Sequence, residues 1–288
     1  MPGINEIRRH ISAVEQTRKI TGAMEMVSSN RMKQVMGHID QNRLYFANIR
    51  RMMKEILTSS QDVSHPYFTG RPRDHNTFIV MSGDKGLCGS HNSAILSYAH
   101  MRLKETPGSA LVTLGHTADD YFYSHGIVPD INLLGIVQDP TLSKAREVAR
   151  ELTYLYAEEL TDGVNIIYTS FYGESKGKPV EFRLFPIKLH DYDDVSDAEE
   201  MHEMMYHPSA QAMLDYLIPQ YAIGLVFGVM VQAYASEHFA RMNAMRSATT
   251  NARDMIGRLN TQFNLARQST ITNEIAEITG AAEVLRGG

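Results

Sequence analysis

The sequence predicts an α/β protein in which long N- and C-terminal helices pair as an antiparallel coiled coil, with a small Rossmann-like, mostly parallel sheet domain between them. Two observations lead to this prediction. The segment from Ser236 to Leu285 contains no proline and no turn cluster, and its apolar or small residues recur at steps of three and four. The middle of the chain alternates short apolar runs with helical stretches, which is typical of α/β sheets.

The N-terminal helix begins with four apolar residues at coiled-coil spacing: Ile4, Ile7, Ile11 and Val14. A looser apolar stripe follows: Ile20, Met24, Val27, Met32, Val35 and Ile39. The step from Val14 to Ile20 does not fit a strict heptad, so we expect a local change of supercoil there. Helix formers continue to Leu57, where a turn-rich run begins. The sequence alone does not fix the direction of helix pairing.

The central domain is predicted from three buried runs and one alternating run. The predicted strands cover residues 77–82, 110–114, 164–169 and 180–185, and the last of them has the alternation of an edge or half-exposed strand. Helical stretches at about 92–104 and 142–160 separate the first three strands. This alternation predicts a small, doubly wound and mostly parallel sheet.

The C-terminal helix carries the longest seam: Met242, Met245, Thr249, Ala252, Ile256, Leu259, Phe263, Ala266 and Thr270. At 1.5 Å per residue, fifty helical residues make a rod of roughly 75 Å, about twice as long as a compact domain of this size needs. We therefore divide the chain into an N-terminal shaft helix (1–60), a central α/β domain (61–208) and a C-terminal shaft helix (209–288).

Charge is segregated along the chain behind a net value of −5. Residues 1–54 hold ten Lys and Arg against four Asp and Glu, and residues 236–288 hold six against five, so the middle is acidic. Basic helices on an acidic body suggest an acidic partner for the helices, although solvated helix faces would give the same counts. One cysteine, Cys88, rules out an internal disulfide and fits a reducing compartment.

One uncharged stretch is long enough to cross a bilayer. Twenty-one residues without charge lie between Asp215 and Glu237. Pro219, two glutamines, two glycines and the acidic residues at both borders favour a buried helix that packs on the central domain instead.

The glycine-rich turn from Ser82 to Ser90 lies where a phosphate-binding loop would lie, after a strand and before a helix. Its spacing fits neither a Walker loop nor a dinucleotide fingerprint, so a tight turn that needs glycine for positive φ is the simpler interpretation. Cys88 and His91 could form a thiol–base pair, but no third group is evident to orient them.

Two further motifs do not form sites by their spacing. His202 and His207 are five residues apart, whereas a zinc-protease helix needs four. The acidic run 191–200 lacks the glycine and the spacing of a calcium loop. We therefore predict no catalytic, cofactor or metal residues, and a mechanical or assembly role rather than an enzyme.

Three stretches, taken together, resemble the gamma subunit of F-type ATP synthase, in its bacterial form. They are INEIRRHISAVEQTRKITGAMEMVSSNRMKQ, GDKGLCGSHN and ARMNAMRSATTNARDMIGRLNTQFNLARQSTITNEIAEITGAA, and their order spans the chain. The resemblance implies a non-catalytic central rotor whose paired helices turn inside a hexamer of alpha and beta subunits. The central domain would form a foot on the epsilon subunit and the c-subunit ring, peripheral to the cytoplasmic face of the bacterial plasma membrane.

The resemblance also implies contact residues. By resemblance, the residues of the shaft that contact beta are Met24, Arg241, Arg267, Gln268 and Thr272. Tyr206 and His207 are assigned to the part of the foot near epsilon and the c ring. The apolar residues from Ile271 to Leu285 are expected to enter an apolar collar of the hexamer. Gly22 stands where the family usually has lysine, which softens the helix by up to about 1 kcal/mol relative to alanine.

Two other functions remain open at the level of sequence. A basic coiled coil could bind nucleic acid through residues 1–54, although Tyr45 and Phe46 are the only aromatic residues there. A small enzyme could be built on the central sheet, which would require a ligand at the turn from Ser82 to Ser90.

Overall fold

In the computed structural model, residues 3–59, 65–71, 75–171, 177–188, 207 and 209–286 are described. The elements are α1 (Ile4–Ser59), β1 (Asn76–Met81), α2 (His91–Glu105), β2 (Ala110–Leu114), α3 (His116–Ser124), β3 (Ile131–Leu133), α4 (Leu142–Ala157), β4 (Gly163–Thr169), β5 (Pro179–Phe185) and α5 (Ala210–Arg286). They form two compact units, one of Met1–Ser28 with Met242–Gly288 and one of Ser29–Arg241. Each terminal helix therefore contributes to both units.

The unit of Ser29–Arg241 is built around a five-stranded sheet with strand order β3-β2-β1-β4-β5. The first four strands pair in parallel, and β5 pairs antiparallel with β4 at the edge. The predicted parallel sheet, its four strands and its two helices are confirmed. Neither β3 nor α3 was predicted from the sequence, because β3 has only three residues and α3 has only nine.

Apolar side chains cover both faces of this sheet. One face packs against α2 and α3, with Phe78, Ile95 and Phe122 in the shared cluster. The other face packs against α4 and the sheet-side parts of α1 and α5, with a larger cluster that includes Met53 and Tyr156. Burial on both faces explains the continuous apolar runs of β1 and β4, because a parallel sheet has no solvated face.

The uncharged run in α5 lies in this larger cluster. The helix is long and apolar enough to cross a membrane, but 67% of its most apolar window is buried within the protein. Leu214, Ile218 and Val226 are fully buried. The prediction of a buried helix packing on the central domain is confirmed, and Pro219 is accommodated inside the continuous helix.

The other unit is an antiparallel helix pair. Arg246 Nε donates to Glu25 Oε1 at 2.8 Å, Thr21 and Thr249 share a hydrogen bond of 2.7 Å, and Arg8 lies over the Phe263 ring at 5.5 Å. From the first contact to the third, α1 runs backward along the sequence by as many residues as α5 runs forward. This geometry settles the direction of pairing.

The expected break in the N-terminal heptad does not occur. Ile20 is 60% exposed and Val27 is 52% exposed, so these two residues lie outside the seam. The steps of three and four continue without interruption through Ile7, Ile11, Val14, Arg18, Thr21, Glu25 and Ser28, all buried or half-buried. The prediction was wrong because it followed apolar side chains, whereas polar side chains fill the seam from Arg18 to Ser28.

Candidate functional site

The glycine-rich turn between β1 and α2 is fixed by hydrogen bonds to its neighbours. Asn92 Oδ1 accepts from the Gly83 N–H at 3.2 Å, Ser82 Oγ accepts from Ala118 N–H at 2.9 Å, and Asp84 Oδ1 accepts from His116 N–H at 2.9 Å. These bonds join the turn to the N-termini of α2 and α3. A Cβ at Gly83 would meet the Glu237 carboxylate carbon at 2.8 Å, so any larger residue at this position would displace the end of the Glu237 side chain.

Arg241 of α5 occupies the inner side of this turn. Its Nη2 donates to the Lys85 carbonyl at 3.0 Å, and its Nε and Nη2 both donate to the Gly86 carbonyl at 3.2 Å. Nη2 also donates to Glu237 Oε1 at 2.5 Å. The Glu237 and Arg241 side chains are only 10% and 9% exposed. We call Glu237, Arg241 and residues 83–86 the turn–helix clasp.

The direction of the backbone groups in the turn decides whether it could bind phosphate. A phosphate-binding turn directs backbone N–H groups at its ligand. Here the turn directs two carbonyl oxygens at its centre, and the cation that they bind is the guanidinium of the chain itself. The geometry therefore supports the interpretation as a tight turn and gives no support to a nucleotide site.

Ionisable groups around the clasp have shifted pKa values. Burial, assisted by the Arg241 charge, lowers the pKa of His91 to about 4. Burial, assisted by Arg241 and Arg31, lowers the pKa of His238 to about 3. Burial raises the pKa of Glu237, and the Arg241 charge opposes this shift. Both histidines are therefore neutral at pH 7.

The thiol–base pair is not supported by this environment. Burial raises the pKa of the Cys88 thiol, whereas a nucleophilic cysteine needs a lowered one. The Cys88 Sγ instead makes a weak contact of 3.9 Å with the Lys85 carbonyl.

A cavity of about 40 Å³ adjoins the clasp, lined in part by Arg31, Asp84, Tyr234 and His238. That volume suits a few water-sized molecules and is far below the several hundred Å³ typical of ligand pockets. Within the described part of the chain, no group of three or more His, Cys, Asp or Glu residues could hold a metal ion.

The remaining sequence-predicted site residues lie mostly on exposed helix surface. Met24 is half-buried, and Arg267, Gln268 and Thr272 are exposed. Thr272 Oγ1 donates to the Gln268 carbonyl at 2.9 Å, one turn back along α5. His207 is exposed, whereas Tyr206, His202 and the acidic run 191–200 fall outside the described residues. Arg241 differs from the others because it is buried in the clasp.

Sequence reasoning missed the clasp. Glu237 was considered only as a charge at the border of the uncharged stretch, Arg241 was assigned by resemblance to a contact with beta, and the glycine turn was considered on its own. The available signal was an acid and a base at i and i+4 directly after an apolar helical run, which is the spacing of a pair on one helix face. That spacing does not show that the pair contacts the glycine-rich turn.

Comparison with known proteins gives consistent results. A family model described as ATP synthase matches residues 3–285. The ATP synthase gamma chain of Heliobacterium modesticaldum is 32% identical over 99% of this chain and 100% of its own length. The ATP synthase gamma chain of Symbiobacterium thermophilum is 34% identical over 98% of each chain.

Solved structures support the fold. A chain of the Euglena gracilis mitochondrial ATP synthase, in the OSCP/F1/c-ring structure in rotational state 3, superposes with a TM-score of 0.67 at 17% identity, covering 99% of this chain and 95% of that one. A chain of the Tetrahymena thermophila mitochondrial ATP synthase central stalk/c-ring structure has a TM-score of 0.61 at 22% identity, covering 80% and 99%.

Proposed function

This chain belongs to the gamma-chain family of ATP synthase, and from that membership we propose that it is the central rotor of an F-type ATP synthase. In this role it couples ion-driven rotation of a membrane ring to the conformational cycle of the catalytic subunits. The observation that carries the proposal is the antiparallel pair of terminal helices, joined through the same two helices to a sheet unit.

The chain acts as a non-catalytic subunit in this proposal. Its partners are a hexamer of alpha and beta subunits, the epsilon subunit and the c-subunit ring, and nucleic acid is not among them. The carbonyl-lined turn supports a division of labour in which nucleotide chemistry belongs to the hexamer. The chain itself is peripheral to the membrane, which it reaches through the ring, on the cytoplasmic face of a bacterial plasma membrane.

Each part of the proposed rotor corresponds to a segment of the chain. Residues 1–60 and 209–288 supply the shaft, and residues 61–208 supply the foot on epsilon and the ring, with Tyr206 and His207 near that contact. Met24, Arg267, Gln268 and Thr272 contact beta subunits, and the exposure of the last three leaves their side chains accessible. Ile271, Ile275 and Ile278, which are 47–69% exposed, enter an apolar collar of the hexamer. Arg241 serves inside the chain instead.

Reconstitution tests the proposed function. The chain is mixed with alpha and beta subunits from the same source, separated by size exclusion, and assayed for ATP hydrolysis with and without the chain. We expect co-elution at one copy per hexamer and a large rise in steady hydrolysis. No association with correctly folded partners would refute the proposal, and salt-sensitive binding of the chain to DNA would favour the nucleic-acid alternative.

The beta contacts are tested by Arg267→Ala, with Arg253→Ala as an exposed arginine control on the same helix. Arg267→Ala should weaken stimulation of hydrolysis about tenfold, because a charge-assisted hydrogen bond to beta is lost. Equal stimulation of hydrolysis by the two variants would show that Arg267 does not contact beta.

A further inference from the structure

We propose that the turn–helix clasp, beyond the apolar packing of α5 on the sheet, fixes the orientation of α5 at Arg241 and so contributes to its rotation together with the sheet domain, with Arg241 and Glu237 as its positioning residues. The inference rests on the proposed rotor function. It assigns Arg241 the task of transmitting torque within the chain, rather than a contact with another subunit.

The first argument is the geometry of Arg241. One planar guanidinium serves two backbone carbonyls of the turn and one carboxylate of its own helix. A lysine would donate from one nitrogen atom only, whereas the arginine donates from Nε and Nη2 and so holds the Gly86 carbonyl with two nitrogens of one rigid plane. The bonds to the turn end on backbone atoms, so they hold the path of the turn rather than one flexible side chain.

The second argument is that the turn is itself anchored in the sheet domain. Ser82 and Asp84 accept from the first backbone N–H groups of α3, and Asn92 of α2 accepts from Gly83. A force applied to the sheet therefore reaches Arg241 through a series of hydrogen bonds, in addition to the apolar packing of α5 on the sheet. Leu87, beside the two accepting carbonyls, holds a left-handed φ of 62°, a conformation that non-glycine residues keep only where their surroundings fix it.

The third argument is position along α5. Arg241 is the last residue of the unit that contains the sheet, and Met242 is the first residue of the helix-pair unit on that side. A fastening at this point resists twisting of the helix where it leaves the sheet domain.

The test uses the whole ATP synthase, reconstituted in vesicles with the chain carrying Arg241→Ala, and measures ion pumping and ATP hydrolysis on the same sample. Arg246→Ala is the matched control, because Arg246 also pairs with a glutamate but is 62% exposed. We expect Arg241→Ala to lower the ratio of ions pumped to ATP hydrolysed by roughly three- to tenfold, which lies within the size of change that mutations in a coupled network produce. The control should keep the ratio of the unchanged protein.

A disulfide provides the rescue. A Cβ at Gly83 would lie 2.8 Å from the carboxyl carbon of Glu237, so these two positions are chosen for a cysteine pair, and formation of the disulfide is checked first by thiol titration. In a chain with Arg241→Ala, Gly83→Cys, Glu237→Cys and Cys88→Ala, oxidation should restore the pumping ratio and reduction should remove it. Loss of folding alone would lower hydrolysis and pumping together and would not respond to oxidation.

The outcomes separate the two proposals. If the unchanged chain fails to associate or to stimulate hydrolysis, the rotor function fails. If the unchanged chain works and Arg241→Ala pumps with the normal ratio, the clasp proposal is overturned. If Arg241→Ala does not assemble, Glu237→Gln carries the same expectation, because it keeps the size of the side chain and removes the charge that holds the guanidinium.

Discussion

His238 is a buried residue whose protonation should report on the folded state. It is 5% exposed, and its pKa is lowered to about 3 by burial and by the charges of Arg241 and Arg31. In the unfolded chain its pKa is near 6.5. Below pH 6.5 the unfolded state therefore binds a proton that the folded state does not, and the folded state loses stability as the pH falls toward 3.

A pH series with His238→Gln tests this linkage. Between pH 7 and pH 5 the unchanged protein should lose about 2 kcal/mol more free energy of unfolding than the variant. Urea titrations at each pH measure the difference. The opposing contribution of Glu237, whose raised pKa favours the folded state at low pH, largely cancels in this comparison. Parallel pH profiles for the two proteins would contradict the assignment of the low pKa to His238.

At the scale of elements, α1 and α5 meet in the sheet unit through a close contact at glycine. The Phe46 ring of α1 lies directly on the backbone of Gly224, whereas Gly228, one turn later, has nothing within 4 Å of where a side chain would begin. The two glycines therefore form a matched pair on one helix, one of them closely packed and one open.

Gly224→Ala should lower the free energy of unfolding by about 1–3 kcal/mol, because the new methyl group collides with the Phe46 ring. Gly228→Ala should raise it by up to about 1 kcal/mol, because alanine favours helix. Thermal unfolding of both variants measures the contrast. A stabilised Gly224→Ala would mean that Phe46 moves aside easily and that this helix contact is not specific.

The polar part of the coiled-coil seam makes a second element-scale prediction. Thr21→Val alone should cost about 1 kcal/mol, because the Thr249 hydroxyl loses its partner. Thr21→Val with Thr249→Val should be neutral or stabilising by up to about 1 kcal/mol, because both hydroxyls are then replaced by groups of the same shape. A double-mutant cycle in urea measures the coupling, and strictly additive costs would show that the hydrogen bond contributes nothing.

The spacing of apolar residues predicted the coiled-coil seam in α5 but not in all of α1. The heptad of α5 was predicted correctly from Met242 to Ala266, because apolar residues mark all but one of its positions, whereas its predicted last member, Thr270, is exposed and lies outside the seam. The heptad of α1 was lost at Arg18, Thr21, Glu25 and Ser28, because these polar side chains are buried or half-buried only through contact with the facing helix. The clasp was missed for the same reason, since Arg241 binds backbone atoms more than 150 positions away.

At the scale of the whole molecule, the fold class was predictable because long helices and buried parallel strands both leave strong periodic signals. The short elements β3 and α3 leave almost none. The division into compact units could not be read from element boundaries, because each terminal helix crosses from one unit to the other.

The far end of α5 should matter to assembly and not to the stability of the chain. Residues 267–282 are all exposed, so deletion of 271–288 should change the free energy of unfolding by less than about 0.5 kcal/mol. Affinity for the hexamer should fall at least about tenfold, because each buried isoleucine contributes roughly 1.5–3 kcal/mol.

Calorimetry of the free chain and titration of the hexamer measure the two effects, with deletion of residues 287–288 as the control. Unchanged affinity for the hexamer after the longer deletion would exclude the end of α5 from the apolar collar.

The unbroken heptad in the helix-pair unit has a consequence for redesign. Because α1 and α5 advance past each other in equal steps, a seam residue on one helix is matched by a seam residue on the other. An insertion of one residue in either helix would rotate every later side chain by about 100° and bury the wrong face. The pair can therefore be lengthened or shortened without a local change of supercoil in blocks of seven residues, made in both helices together, so seven residues are the natural unit of length of this helix pair.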